Sequence, residues 1–287
     1  MAVPGDRLGA AVACFSGRGC AVTQTFSHSR LSTYENCPRQ YRYRYIDKLK
    51  VTDLGVEAHL GRAVHAALEE LHRVQMGGVV ASLEQVVAWF EVAWQERGGA
   101  NLRVVRRGFD EADYQRLGGH IVARYYDRFH PFDQEETVAV EQKVDILLDA
   151  GRDIHLIGYI DRLSRSAGGE WTIHDYKTSG SPPYRRGIDR DRQLTLYEIG
   201  LRAAQPGRPK VKQQWHYLTF EKIETRRRTA AYRDRVTSET IELVRRVRAE
   251  TTFQARPTVL CHWCDFREHC PEGAEFTVSS PAPGLPG

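Results

Sequence analysis

Gly158-Tyr159-Ile160-Asp161-Arg162 and Ile173-His174-Asp175-Tyr176-Lys177-Thr178 are the two stretches on which the fold of this 287-residue chain turns. Both alternate apolar and polar residues, as a strand with one buried face does. Ala167-Gly168-Gly169 between them is a turn signal, so the pair reads as an antiparallel hairpin. Asp175 and Lys177 are two apart and share one face of their strand. The hairpin brings Asp161 alongside them. Two carboxylates converging on one point suit a hard divalent cation. A lysine beside them orients or activates a water, or neutralises charge developing on a phosphate. An Asp-x-Lys pair on a strand is more often a plain solvated face, so order and context must decide.

Outward from the hairpin the texture is mixed. Segments 137–148, 153–164 and 171–176 read as a meander of three strands, and 211–220 as a further strand. Helical spacing marks 191–204 and 231–250 downstream. Upstream it marks 29–47, 60–74, 82–97 and 111–129. Ser32 with Glu35 three residues later has the spacing of a capping box. Glu141 reads either as a solvent-facing strand residue or as a carboxylate that reaches a second metal or supports the ligands of the first. The order predicts an α/β fold, a small mixed sheet flanked by helices. Residues 1–24 and 276–287 read as poorly ordered tails.

Composition bounds the function. Hydrophobic residues make up 41% of the chain and the formal net charge is +4. No apolar run is long enough to span a membrane, and no convincing signal peptide opens the chain. A cytoplasmic protein is expected. No Gly-x-x-x-x-Gly-Lys-Ser/Thr stretch is present, so no ATPase of the P-loop type is encoded here. Between Arg39 and Lys50 aromatic and basic residues interleave, a pattern that can stack on bases and pair with phosphates. Arg42 and Arg44 are therefore candidate nucleic-acid contacts, or equally the solvated face of an amphipathic helix whose tyrosines are core; Arg162 beside Asp161 meets a phosphate or pairs with a nearby acid.

Of six cysteines, Cys14 and Cys20 stand without a partner motif. The other four bracket the chain: Cys37 near its start, and Cys261, Cys264 and Cys270 in a Cys-x2-Cys-x5-Cys run near its end. Clustered cysteines in a cytosolic chain point to metal more than to disulfides. Four thiolates suit zinc or an iron–sulfur cluster, and the spacing alone leaves both open. His262 or His269 could join a zinc site.

Taken in order, several motifs resemble the PD-(D/E)XK nuclease superfamily. They are His65 in Gly61-Arg62-Ala63-Val64-His65, then Gly158 to Arg162, then Asp175-Tyr176-Lys177-Thr178, then Gln193-Leu194-Thr195-Leu196-Tyr197. They are most similar to its RecB-like branch, which includes the AddB nuclease domain and CRISPR-adaptation nucleases. The resemblance implies a restriction-endonuclease-like core in a single domain over 25–275, with a helical insertion at about 77–130. It implies a catalytic Mn2+ or Mg2+ held by His65, Asp161, Asp175 and the main-chain carbonyl of Tyr176, with Lys177 assisting. An imidazole ligand favours manganese somewhat. Gln193 and Tyr197 would face the active site and DNA. Cys37, Cys261, Cys264 and Cys270 would hold a [4Fe–4S] cluster, with Zn2+ as the alternative, clasping the N- and C-terminal segments together.

The implied activity is hydrolysis of DNA phosphodiesters, as an exonuclease on single strands or strand ends. Repair or recombination, or CRISPR adaptation, would be its setting. The alternatives are a non-catalytic nucleic-acid-binding module and a nuclease subunit that depends on a helicase or CRISPR-adaptation partner.

Overall fold

A computed structural model describes residues 25–276, apart from 97–100, 150, 152–153, 181–184, 206 and 208. Cys14, Cys20 and the two expected tails, save Phe276, lie outside the described residues. The chain opens with α1 (His28–Asn36). Its cap is Ser27, whose hydroxyl accepts the Arg30 N–H at 3.1 Å. Ser32 lies inside the helix, where its hydroxyl faces His28 Nε2 at 3.3 Å, so the capping expected of it falls to Ser27. A break at Cys37 follows, then α2 (Pro38–Tyr41). Pro38 costs nothing there, because a first-turn N–H has no intrahelical partner. One wider turn, Arg42–Ile46, completes this N-terminal unit.

β1 (Asp53–Gly55) leads into α3 (Val56–Met76), the longest helix among the described residues. α4 (Leu83–Gln95), β2 (Asn101–Arg103) and α5 (Glu111–Phe129) follow, and β2 lies parallel to β1. Reciprocal capping boxes fix the starts of both helices, Ser82 with Gln85 and Asp110 with Asp113. α5 crosses α4 at Gly118. A Cβ there would stand 2.2 Å from the Phe90 ring, so only glycine allows this approach.

β3 (Glu136–Leu147), β4 (His155–Arg165) and β5 (Trp171–Lys177) form the expected meander. α6 (Arg185–Arg190) and α7 (Gln193–Ala204) then cross over to β6 (Val211–Tyr217), which pairs parallel to β5. β7 (Lys222–Arg226), not foreseen from the sequence, returns antiparallel at the edge. The mixed sheet therefore has five strands in the order β3-β4-β5-β6-β7. α8 (Ala230–Ala249) and α9 (Pro271–Ala274) end the helices.

The sheet separates two cores. Leu156, Ile160, Ile173 and Trp215 pack with Leu194, Leu201 and Val244 of α7 and α8. Tyr176 packs with Leu60, Leu68, Phe90 and Ile121 of the α3–α5 layer. Each such side chain contributes about 1.5–3 kcal/mol on burial.

Two irregularities place the site. The β4–β5 ladder runs from Arg165↔Trp171 to Arg162↔His174 and stops. The next two residues, Asp161 and Asp175, stand where the strands part. On the other side of β4, Glu141 lies between the pairs Val140↔Arg162 and Gln142↔Ile160, opposite Asp161. Its φ of 45° is left-handed, a strained value for a non-glycine residue within a strand.

Candidate active site

At the point where β4 and β5 part, Tyr176 lacks a main-chain acceptor on β4. Asp161 supplies one: its Oδ2 accepts the Tyr176 N–H at 2.7 Å. His65 comes from α3 on the other side. Its Nε2 donates to the Tyr176 carbonyl at 2.8 Å, and its Nδ1 lies 3.6 Å from Asp161 Oδ2. α3 approaches this closely because Gly61, one turn before His65, lies against Thr178; a Cβ would sit 3.1 Å from the Thr178 hydroxyl. His65, Glu141 and Asp161 each offer a ligand atom, all within 4.8 Å of one another.

Asp175 is only 3% exposed. Its Oδ2 faces the Lys177 ammonium at 2.7 Å yet accepts no well-formed hydrogen bond. Lys177 Nζ donates to Gln193 Oε1 at 2.9 Å, and Gln193 Nε2 donates to the Tyr197 hydroxyl at 3.3 Å. The i, i+4 spacing puts Gln193 and Tyr197 on one face of α7. Gln193 is itself anchored, its N–H donating to Asp191 Oδ1 at 2.7 Å.

The electrostatics are those of a site short of positive charge. Burial, and then the neighbouring Asp175 charge, push Asp161 up to about 8. Burial also raises Asp175, against the pull of Lys177. Burial disfavours the Lys177 ammonium, but Asp175 and Asp191 outweigh it and raise its pKa, so the ammonium persists at neutral pH. An imidazole nitrogen and the Asp161 and Glu141 carboxylates form a mixed nitrogen and oxygen donor set beside the buried Asp175–Lys177 pair. That set fits a divalent cation of the magnesium or manganese type.

Other expected residues fall elsewhere. Arg162 is 5% exposed and donates from Nε to Thr137 Oγ1 at 3.0 Å. It lies buried against α3 and α5, near Tyr125 and Tyr176, which removes it from contact with a phosphate. Arg44 pairs with Asp265 at 2.5 Å and lies over the Phe266 ring, so it braces the C-terminal segment. Arg42 remains at the surface, paired with Asp47 at 3.2 Å. Tyr197 is 8% exposed, its ring packed on Gly158, so it supports the site from beneath and presents little surface to a substrate. Glu141 is exposed, and it converges on His65 and Asp161 from a left-handed backbone that the sequence does not signal.

The four bracketing cysteines line one cavity of about 220 Å3, together with Arg39, Tyr43, Arg256 and Arg267. Cys37 Sγ accepts the Arg256 N–H and Cys261 Sγ accepts the Thr258 N–H, each at 3.4 Å. Burial pushes the Cys264 thiol up, and the nearby Asp265, Cys37 and Cys261 add to this. Four sulfurs lining one cavity, two of them receiving main-chain N–H groups, are a donor set that suits a thiolate-bound metal centre. This segment is docked to the rest of the molecule. Arg103 donates to the Cys264 and Trp263 carbonyls at 3.0 and 3.2 Å, and Trp263 Nε1 donates to Glu57 of α3 at 3.2 Å.

Comparison with known proteins agrees with this architecture. Among solved structures the chain is similar to a protein of Eubacterium rectale provisionally named an exonuclease, at 13% identity and a TM-score of 0.50, with 92% of each chain covered. At that identity the likeness concerns the fold alone. It also matches the SSO0001 structure at 15% identity over 87% of this chain and 96% of the other, but with a TM-score of 0.32, too low to carry an argument. No curated protein matches the chain. No helix among the described residues is long and apolar enough to cross a membrane. The family model of the PD-(D/E)XK nuclease superfamily matches residues 25–271, nearly all of the described chain, and the protein belongs to that superfamily.

Proposed function

We propose that this protein is a metal-dependent DNA nuclease that hydrolyses phosphodiesters from the ends of single strands. The observation that carries the reading is the convergence of His65, Glu141 and Asp161 beside the buried Asp175–Lys177 pair, at the point where two strands of a PD-(D/E)XK fold part. His65, Asp161, Asp175 and the Tyr176 carbonyl would hold Mn2+ or Mg2+, with Glu141 completing the set. Such a cation, when bound, polarises a phosphate oxygen and lowers the pKa of a water.

The chain's own groups do the rest. Lys177 keeps its proton, so it supplies positive charge to the phosphate or orients a water, and does not serve as the base. Gln193 fixes the lysine by holding Nζ, and Asp191 fixes Gln193. Tyr176 offers its carbonyl towards His65 because Asp161 holds its N–H. Water is the nucleophile this set of groups serves, which makes direct hydrolysis the expected route. The four cysteines are assigned to a [4Fe–4S] cluster, with Zn2+ as the alternative. Iron and sulfide content of anaerobically purified protein separates the two. A helicase or a CRISPR-adaptation complex is the kind of partner such a nuclease would serve, in repair or in spacer capture.

The test uses end-labelled linear and circular single-stranded DNA, and a matching RNA, in Mn2+. Degradation of the linear DNA with the circle and the RNA intact supports a DNA exonuclease, and the label gives its polarity. Cutting of the circle makes it an endonuclease. Inert, folded, cluster-loaded protein that still binds the strands makes it a binding module.

A further inference from the structure

Within Gly158-Tyr159-Ile160-Asp161 the residues take opposite sides of β4. Gly158 and Ile160 are buried on the α7 side, where the Tyr197 ring fills the space a Cβ at 158 would need, 2.1 Å away. Tyr159 between them faces the side from which α3 brings His65. It is 52% exposed, and among the described residues no hydrogen bond, ion pair or ring contact engages its side chain. A large aromatic ring left open is an unusual use of a strand position, because its apolar area gains by burial.

Its neighbours say what covers it. Lys143 is its register partner on β3. The adjoining row across the same two strands is Glu141 and Asp161, two of the three converging ligand residues. Two residues along a strand span roughly 7 Å. A strand of nucleic acid whose phosphate lies at Asp161 therefore carries a neighbouring base over Tyr159. Lys143 is exposed and, among the described residues, its ammonium pairs with Asp145 at 3.4 Å, a surface pair it can exchange for a phosphate oxygen.

We propose that Tyr159, with Lys143 opposite, is a base-stacking platform for the nucleotide next to the scissile phosphate. It selects for an unpaired base, because a base held in a duplex stacks on its own neighbours and does not offer its face to the ring. The proposal rests on the nuclease reading for the identity of the ligand, and on the register of β3 and β4 for its place.

The test measures binding of a fluorescently labelled oligothymidylate, with Ca2+ in place of Mn2+ so that the strand stays intact. Wild type is compared with Tyr159→Ala, Tyr159→Leu and Tyr159→Trp, and a series of strands carries one abasic position each. Tyr159→Ala and Tyr159→Leu should raise Kd about 5- to 140-fold, the factor that about 1–3 kcal/mol per stacked base represents. Tyr159→Trp should bind as wild type. One abasic position should weaken wild type and leave Tyr159→Ala unchanged, which a merely structural role could not produce. Equal binding by wild type and Tyr159→Leu, an abasic penalty identical in both proteins at every position, or no binding by wild type each overturns the platform. Cleavage in Mn2+ is read separately. Binding with the expected coupling but no cleavage sinks the nuclease reading and leaves the platform standing, whereas cleavage without the coupling does the reverse.

Discussion

Asp161 holds a proton at neutral pH that a bound cation must displace. Its carboxyl is pushed up to about 8 by burial and by Asp175, so at pH 7 the free protein carries it protonated. Metal ligands bind as carboxylates, so Mn2+ binding should release about one proton at pH 7. Affinity should rise about tenfold per pH unit up to roughly pH 8 and then level off. Titration calorimetry in two buffers of different ionisation enthalpy reads the proton directly; binding without release would contradict the charge picture. Lys177→Ala should lower kcat by roughly 100- to 1,000-fold, the cost of removing one transition-state donor, with the Mn2+ affinity of the site kept. The Asp-x-Lys pair was legible because strand alternation puts both on one face. Arg162 was misjudged because the strand pleat is irregular beside Glu141: Ile160 packs in the α7 core, while Arg162, two residues on, is buried on the α3 and α5 side. Glu141 was open between a solvent-facing role and metal support, and nothing in Val140-Glu141-Gln142 signals the left-handed backbone it adopts beside the site.

Elements carry this site as much as residues do. Gly158 lets α7 lie against β4, and α7 carries the Gln193 that holds Lys177. Gly158→Ala should cost about 1–3 kcal/mol as an overpacked core position. It should also lower kcat, because the displaced Tyr197 hydroxyl is the acceptor for Gln193 Nε2. Chemical denaturation and single-turnover cleavage measure the two effects. A variant of unchanged stability would contradict the packing, and a destabilised one of unchanged kcat would break its link to Lys177. The meander and most helices were readable from periodicity, but the helix expected over 29–47 is broken at Cys37, and α6 was not foreseen. β7 was not, because Lys222-Ile223-Glu224-Thr225-Arg226 has a single apolar residue and draws its order from pairing with β6. The Ser32 cap failed for a related reason: Ser27 offers the same chemistry one turn earlier, where the backbone is already extended.

At the scale of the whole molecule, the cysteine segment joins the two ends of the fold. Linking Cys37 to Cys261 closes a loop of about 220 residues. By the loop-entropy treatment of a cross-link this is worth on the order of 5 kcal/mol, as an upper guide. Cys264→Ala should therefore lower Tm and abolish the visible absorbance of the proposed cluster. If the absorbance goes while Tm and cleavage stay unchanged, the segment is no clasp. That the ends meet was suggested by cysteine spacing. That Arg44 and Arg103 hold the segment in place was not, because their partners, Asp265 and the Trp263 and Cys264 carbonyls, are more than 150 residues away in sequence.

The most direct measurement is single-turnover cleavage of a 5′-labelled linear single-stranded DNA in Mn2+ by wild type, Asp161→Asn and Asp175→Ala, each shown to be folded. Cleavage by wild type that stops in EDTA, and a loss of at least about 1,000-fold in each variant, is the expected result. Variants that cut as fast as wild type, or cleavage that persists without metal, would contradict the assignment of the active site to the Asp161–Asp175 junction.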